Sequence, residues 1–109
     1  PEFRKVGACA HIAGMSLVTK DVPADMTVAG NPAWAVGLNA EGIKRRNVGD
    51  YARAALKQAH RLVYRSGLKS SDALAQMSEL RIAHPEVETF ARSIETSDVG
   101  IIRGSGRGS

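Results

Sequence analysis

The interval between aliphatic residues changes partway along the chain, and this change limits what the chain can fold into. Val6, Ile12 and Val18 stand six apart with small residues between them in "GACA" and "AGMS", and Val22 and Val28 repeat the interval after a shift of register. Six-residue spacing of aliphatics with small or polar fillers is the pattern of a hexapeptide parallel β-helix, in which roughly three hexads complete a coil. An ordinary pair of Val-rich strands fits those first positions as well. Pro23 has no N–H to give to a ladder and marks the end of regular pairing, and Gly30-Asn31-Pro32 is a turn signal.

Beyond Gly49 the period becomes helical. In "DYARAALKQAHRLVYRSG", Ala52, Ala55, Leu56, Ala59, Leu62 and Val63 fall on one arc of roughly 120°, and Gly67 supplies a left-handed stop. A second helix is expected from Ser70 or Ser71, with a serine hydroxyl as cap and Leu74, Met77 and Leu80 buried. A third opens at Pro85, with acidic residues in its first turn and Val87, Phe90, Ala91 and Ile94 as its apolar stripe. The fold class is therefore α+β, with a three-helix module held by burial of three stripes against one another.

The chain has 109 residues, enough for one compact domain with a modest core. "PEF" at residues 1–3 and "GSGRGS" at residues 104–109 read as cloning-derived ends that take no part in folding. The lone Cys9 has no internal disulfide partner, and no apolar run approaches the roughly 20 residues needed to span a bilayer, so a soluble cytoplasmic protein is expected.

Charge is unevenly placed. From Asn39 to Lys69 there are eight Lys/Arg against two Asp/Glu, whereas Ser70 to Asp98 carries six Asp/Glu against two Arg. The run "NAEGIKRR", Asn39 to Arg46, is the densest part. Adjacent guanidinium groups at Arg45 and Arg46 can each make forked hydrogen bonds to phosphate, and Lys44 adds a point charge. The Asn39 amide and the Glu41 carboxylate suit the hydroxyls and imide edge of a uridine. A solvated basic helix start is the alternative reading of the same residues.

A second basic set, Arg53, Lys57, Arg61 and Arg65, repeats every fourth residue opposite the apolar arc, with Tyr64 inside it. It reads either as a solvated face or as a docking strip for an acidic helical partner. His11, His60, His84 and Cys9 show no zinc-site spacing and are taken as structural, and no catalytic residue or cofactor site is expected. Trp34 is expected to pack within the chain where the coil stack ends, with an anchor at a subunit interface as the alternative reading.

"DVPADMTVAGNPA" resembles the closing coil of the hexapeptide-repeat acyltransferases, and "GLNAEGIKRR", "YRSGL" and the terminal "GIIR" are similar to the C-terminal part of the acyl-carrier-protein-dependent UDP-N-acetylglucosamine O-acyltransferases of lipid A synthesis. The resemblance implies that residues 4–36 form the last coils of a left-handed parallel β-helix and residues 37–103 a C-terminal helical domain. It implies that Asn39 and Glu41 lie near the uridine and that Arg45 and Arg46 engage the diphosphate, in a cleft between subunits of a homotrimer. It also implies that the basic helix meets acyl carrier protein, and that the general-base His belongs to earlier coils, leaving this segment inactive alone. Asn47 stands where the family has Gly, and Gly49 where a Ser cap is usual, which weakens the expected helix start. The alternatives are another hexapeptide acyltransferase, or a stand-alone basic helical module. Nucleic acid is disfavoured because there is no aromatic platform for stacking bases.

Overall fold

A computed structural model describes residues 6–14, 20–30, 33–97 and 100–103. Both expected ends, Val18, and the Asn31-Pro32 turn lie outside the described residues, as does the Trp34 side chain. The β portion contains β1 (His11–Ile12), β2 (Met26–Gly30) and β3 (Ala33–Leu38) in the order β1-β2-β3.

The aliphatic repeat is realised as a parallel ladder. Val6 bridges Val22, His11 lies opposite Thr27, and Ile12 lies opposite Val28, each partner sixteen residues further on. The shift of register between the two Val/Ile pairs is thus what stacks one pair on the other. Corners repeat as well: Cys9 and Asp25, again sixteen apart, both have positive φ, at 60° and 62°, and the Asp25 N–H donates to the Ala8 carbonyl at 3.0 Å. At Gly7 the two coils come so close that a Cβ would sit 2.4 Å from the Ala24 nitrogen and 2.8 Å from the Pro23 carbonyl carbon. These are backbone atoms and cannot yield.

The coil then ends in a way that hexad spacing does not reveal. β3 turns back antiparallel on β2, with Gly30 opposite Ala33 and an irregularity between Thr27 and Val28. The C-terminal segment returns to the same place: Asp21 bridges Ile101, the Asp21 N–H donates to the Gly100 carbonyl, the Ile102 N–H to the Asp21 carbonyl, and the Ala35 N–H to the Arg103 carbonyl.

Five helical segments are described where the sequence predicts three. The run after Asn39 forms its own short helix, α1 (Ala40–Arg45), and the long amphipathic stretch is α2 (Asp50–Tyr64). Asn47 lies between them at φ 56°, a left-handed position that asparagine tolerates better than most residues, so glycine is dispensable there. Gly49, as cap of α2, makes no side-chain capping bond. The expected second helix is broken at Met77 into α3 (Ser70–Gln76) and α4 (Ser78–Ala83). The expected serine cap is also absent. Lys69 occupies the cap position with no side-chain bond, and Ser70 is already the first helical residue. α5 (Pro85–Glu95) matches its reading, with Pro85 in the first turn and Val87, Phe90, Ala91 and Ile94 buried.

One core joins these parts. Val22, Met26 and Val28 from the coil, Ile43 from α1, Leu56 and Val63 from α2, Met77, Phe90 from α5, and Ile101 and Ile102 belong to a single buried cluster. Polar links run alongside it. The Ser93 hydroxyl on α5 accepts from the Ala24 N–H at 3.0 Å and donates to the Phe90 carbonyl, and the Ser97 hydroxyl donates to buried Asp21 at 2.6 Å. On the outer side, Arg81 of α4 donates to both Glu88 and Glu95 of α5, holding both carboxyls below their ordinary range.

The glycine approach and the buried aromatic make separable predictions. Gly7→Ala must push the coils apart at the backbone and is expected to cost about 1–3 kcal/mol as for other overpacked sites. Phe90→Ala, at a fully buried position, is expected to cost about 3–5 kcal/mol. Urea unfolding followed by far-ultraviolet circular dichroism measures both.

Candidate functional site

α1 is too short to persist alone, so its place depends on what ties it down. Asn39 caps it: the side-chain oxygen accepts from the Gly42 N–H at 3.2 Å, while the side-chain amide donates to the Cys9 carbonyl at 3.0 Å. Gly42 makes this possible, because a Cβ there would lie 2.6 Å from the Asn39 amide nitrogen. The Asn39 backbone N–H donates to the Asp25 carbonyl at 2.5 Å. The sequence reads Asn39 as a ligand-facing amide; in the fold one end of that amide caps α1 and the other ties the segment to the coil.

Against this anchored turn lies an open cavity of about 470 Å³ lined by His11, Thr27, Asn39, Ala40, Glu41, Gly42 and Arg45. Three of the residues singled out in the sequence, Asn39, Glu41 and Arg45, therefore share one concavity. Glu41 and Arg45 are 78% and 80% exposed along their side chains and stand 3.8 Å apart, a loose surface pair worth little, so both can turn toward an incoming group.

Arg46 is placed differently. It is not among the cavity's lining residues, and its guanidinium donates to the carboxylate of Asp25. Asp25 is buried, and burial pushes its carboxyl above the usual range, opposed by the Arg46 charge and reinforced by Glu86. The expectation that two neighbouring guanidinium groups face one anion does not describe this arrangement: successive helical positions point about 100° apart, and one of the two finds a buried carboxylate.

His11 and Thr27 escape the sequence reading, which takes His11 as structural. They are ladder partners on adjacent coils, so the sixteen-residue register that stacks them is the signal that brings both to the cavity. Asp25 was equally silent, because its polarity is spent inside the chain.

The basic series on α2 separates into parts. Arg53 donates to Asp50 at 2.5 Å, whereas Lys57, Arg61 and Arg65 are exposed and, with His60, line an open concavity of about 310 Å³. Tyr64 leaves this strip: its hydroxyl donates to the Ile102 carbonyl at 2.9 Å, the Arg103 guanidinium lies 5.2 Å from its ring centre, and its ring packs 5.0 Å from that of His60. Two motifs distant in sequence, "YRSG" and "GIIR", meet here. Burial, aided by Arg65 and Arg61, holds the His60 imidazole below its ordinary pKa. Among the described residues no three metal-ligating side chains gather, and no helix is long and apolar enough to cross a membrane.

Comparison with known proteins places this geometry in context. Residues 21–102 match the family described as UDP N-acetylglucosamine O-acyltransferase, domain 2. The acyl-[acyl-carrier-protein]–UDP-N-acetylglucosamine O-acyltransferase of Pseudomonas syringae pv. syringae is 44% identical over 102 residues, covering 94% of this chain and 40% of that protein. LpxA from Acinetobacter baumannii superposes with a TM-score of 0.88 at 39% identity, covering 93% of this chain and 40% of that one. A UDP-N-acetylglucosamine acyltransferase from Francisella novicida gives 0.87 at 33% identity, with 95% and 38% covered. The chain thus spans about two-fifths of the length of these relatives.

The His60 environment sets the sign of a pH effect. With its folded pKa depressed, the folded state binds fewer protons than the unfolded chain, so the contribution of His60 is fully present above about pH 6.5 and is lost as pH falls through the folded value. Stability measured against His60→Gln should therefore move in favour of the variant on acidification. Urea midpoints of the two chains between pH 7.5 and 5, with the imidazole titrated by NMR, check this.

Proposed function

The chain belongs to the UDP-N-acetylglucosamine O-acyltransferase family, and we propose that it is the C-terminal part of a cytoplasmic enzyme that moves a 3-hydroxyacyl group from acyl carrier protein to the 3-hydroxyl of UDP-N-acetylglucosamine, the first step of lipid A synthesis. Residues 4–36 would be the last coils of a left-handed β-helix, and residues 37–103 the helical domain that closes it. The sixteen-residue parallel register and the agreement with solved relatives support this reading. The parent assembly is proposed to be a homotrimer.

The cavity between the coil and α1 carries the assignment. A nucleotide diphosphate entering it meets the exposed Arg45 guanidinium, whose planar fork matches phosphate oxygens. The Glu41 carboxylate accepts from nucleoside or sugar hydrogen-bond donors, and Asn39 shapes the wall that presents them. Arg46 serves beside them through Asp25. His11 and Thr27 close the coil side of the cavity.

None of these groups is proposed to move the proton of the reacting hydroxyl. The family resemblance assigns that to a His in preceding coils, which accepts the proton as the sugar oxygen attacks the thioester carbonyl and returns it to the carrier-protein thiolate that leaves as the C–S bond breaks. This segment supplies binding energy and orientation, which count toward rate when they hold the reacting atoms in place. Lys57, Arg61 and Arg65, with Arg53 at the edge, form the strip proposed to meet the acidic carrier protein, steering association more than tightening it.

Two measurements test the reading. Arg45→Ala should weaken UDP binding about ten- to a hundredfold, the value of a charge-assisted pair, as read by NMR or calorimetric titration. An unchanged affinity removes the diphosphate from this cavity. Association of the parent enzyme with its carrier protein should slow as salt rises from 50 to 300 mM, and Lys57→Ala with Arg61→Ala should flatten that slope in stopped-flow experiments.

A further inference from the structure

We propose that Asp25 is a positioning residue for the nucleotide cavity, gripping both ends of the Asn39–Arg46 segment and setting it against the last coil. This rests on the reading of that cavity given above. At the near end, the Asp25 carbonyl accepts from the Asn39 N–H at 2.5 Å; at the far end, the Asp25 carboxylate accepts from Arg46, the cap residue of α1. The Asp25 N–H meanwhile donates to the Ala8 carbonyl of the coil below at 3.0 Å, and the Asn39 side-chain amide reaches Cys9, the next residue.

The three bonds of Asp25 therefore run to the coil, to the start of the segment, and to its end. A six-residue helix cannot fix its own orientation, yet Glu41 and Arg45 must point into the cavity together with His11 and Thr27 from the coil. The carboxylate is only 2% exposed, while the Arg46 side chain is 37% exposed. Pulling Arg46 away would strand a buried charge, whereas turning Arg45 costs nothing of the kind. Work is thus divided between the neighbours: Arg45 meets the ligand, and Arg46 holds Arg45 where it can.

Asp25→Asn takes the charge out of the side-chain bond, leaving Arg46 only a neutral amide oxygen to donate to. Asparagine has the same size and accepts the left-handed φ of 62°, so the backbone links to Ala8 and Asn39 remain. Hydrogen exchange of the amides of residues 40–46 is read without ligand, and affinities for UDP and for UMP are then measured on the same samples. The expected result is that Asp25→Asn and Arg46→Ala each speed exchange across the segment at least tenfold. Each should weaken UDP and UMP alike by about three- to tenfold, keeping the ratio of the two affinities within about twofold of the unaltered chain. The double variant should be no worse than either single one, and Arg46→Lys should recover part of the loss. Arg45→Ala should do the opposite, leaving exchange unchanged while abolishing the preference for UDP over UMP.

If Arg46→Ala erases the preference for UDP as Arg45→Ala does, Arg46 holds the diphosphate itself and the proposal fails. It fails equally if Asp25→Asn leaves exchange at the level of the unaltered chain. A chain that shows the coupling in exchange but binds neither nucleotide keeps the clamp and overturns the functional reading of the cavity.

Discussion

A stack of parallel coils has an open end, and satisfying the backbone groups exposed there is the constraint on which the rest of this structure depends. Unpaired N–H and C=O groups on a buried edge cost free energy comparable to a lost hydrogen bond each, and an uncovered edge invites pairing with another chain. Here three different elements close the end. β3 folds back on β2, residues 100–103 run beside Asp21 and Ala35, and the Ser93 hydroxyl takes the N–H of Ala24. Apolar closure accompanies polar closure, since Val22, Met26 and Val28 share one buried cluster with Phe90, Ile101 and Ile102. The helices are the lid of the coil.

The cavity exists because that lid is attached at a corner. Asp25 occupies the left-handed turn of the last coil, and the chain leaves the hairpin at Asn39 directly beside it. Residues from both architectures then face a common space: His11 and Thr27 from the ladder, Glu41 and Arg45 from the short helix. A side chain on either element alone would have no opposite wall.

How much of this could be read from the residues depends on whether the signal was periodic. α5 was legible because its stripe and its initial Pro85 are both local. The arc of α2 was legible for the same reason, and the stacking of Val6 on Val22 and Ile12 on Val28 was present as a change of register. The break at Met77 was not, since Leu74, Met77 and Leu80 keep a helical interval across it. Of the candidate site, Asn39, Glu41 and Arg45 stand out by their chemistry, and the fold gathers them along one cavity. Arg46 and Tyr64 were not, because each turns to a group far along the chain, Asp25 in one case and the Ile102 carbonyl in the other. Long-range polar pairing leaves no interval to count.

The return of Ile101 to Asp21 also has a bearing on timing. A ribosome delivers the coil residues before the segment that covers them, so the upper rung is made well ahead of the residues that pair with it. Until Ile101 and Ile102 emerge, the cluster that holds Val22 lacks two of its members and the Asp21 backbone lacks the partners it finds at Gly100 and Ile102. Completion of this end therefore waits on those isoleucines, and a nascent chain stalled before them would present its apolar rung to whatever chaperone or neighbouring chain is at hand.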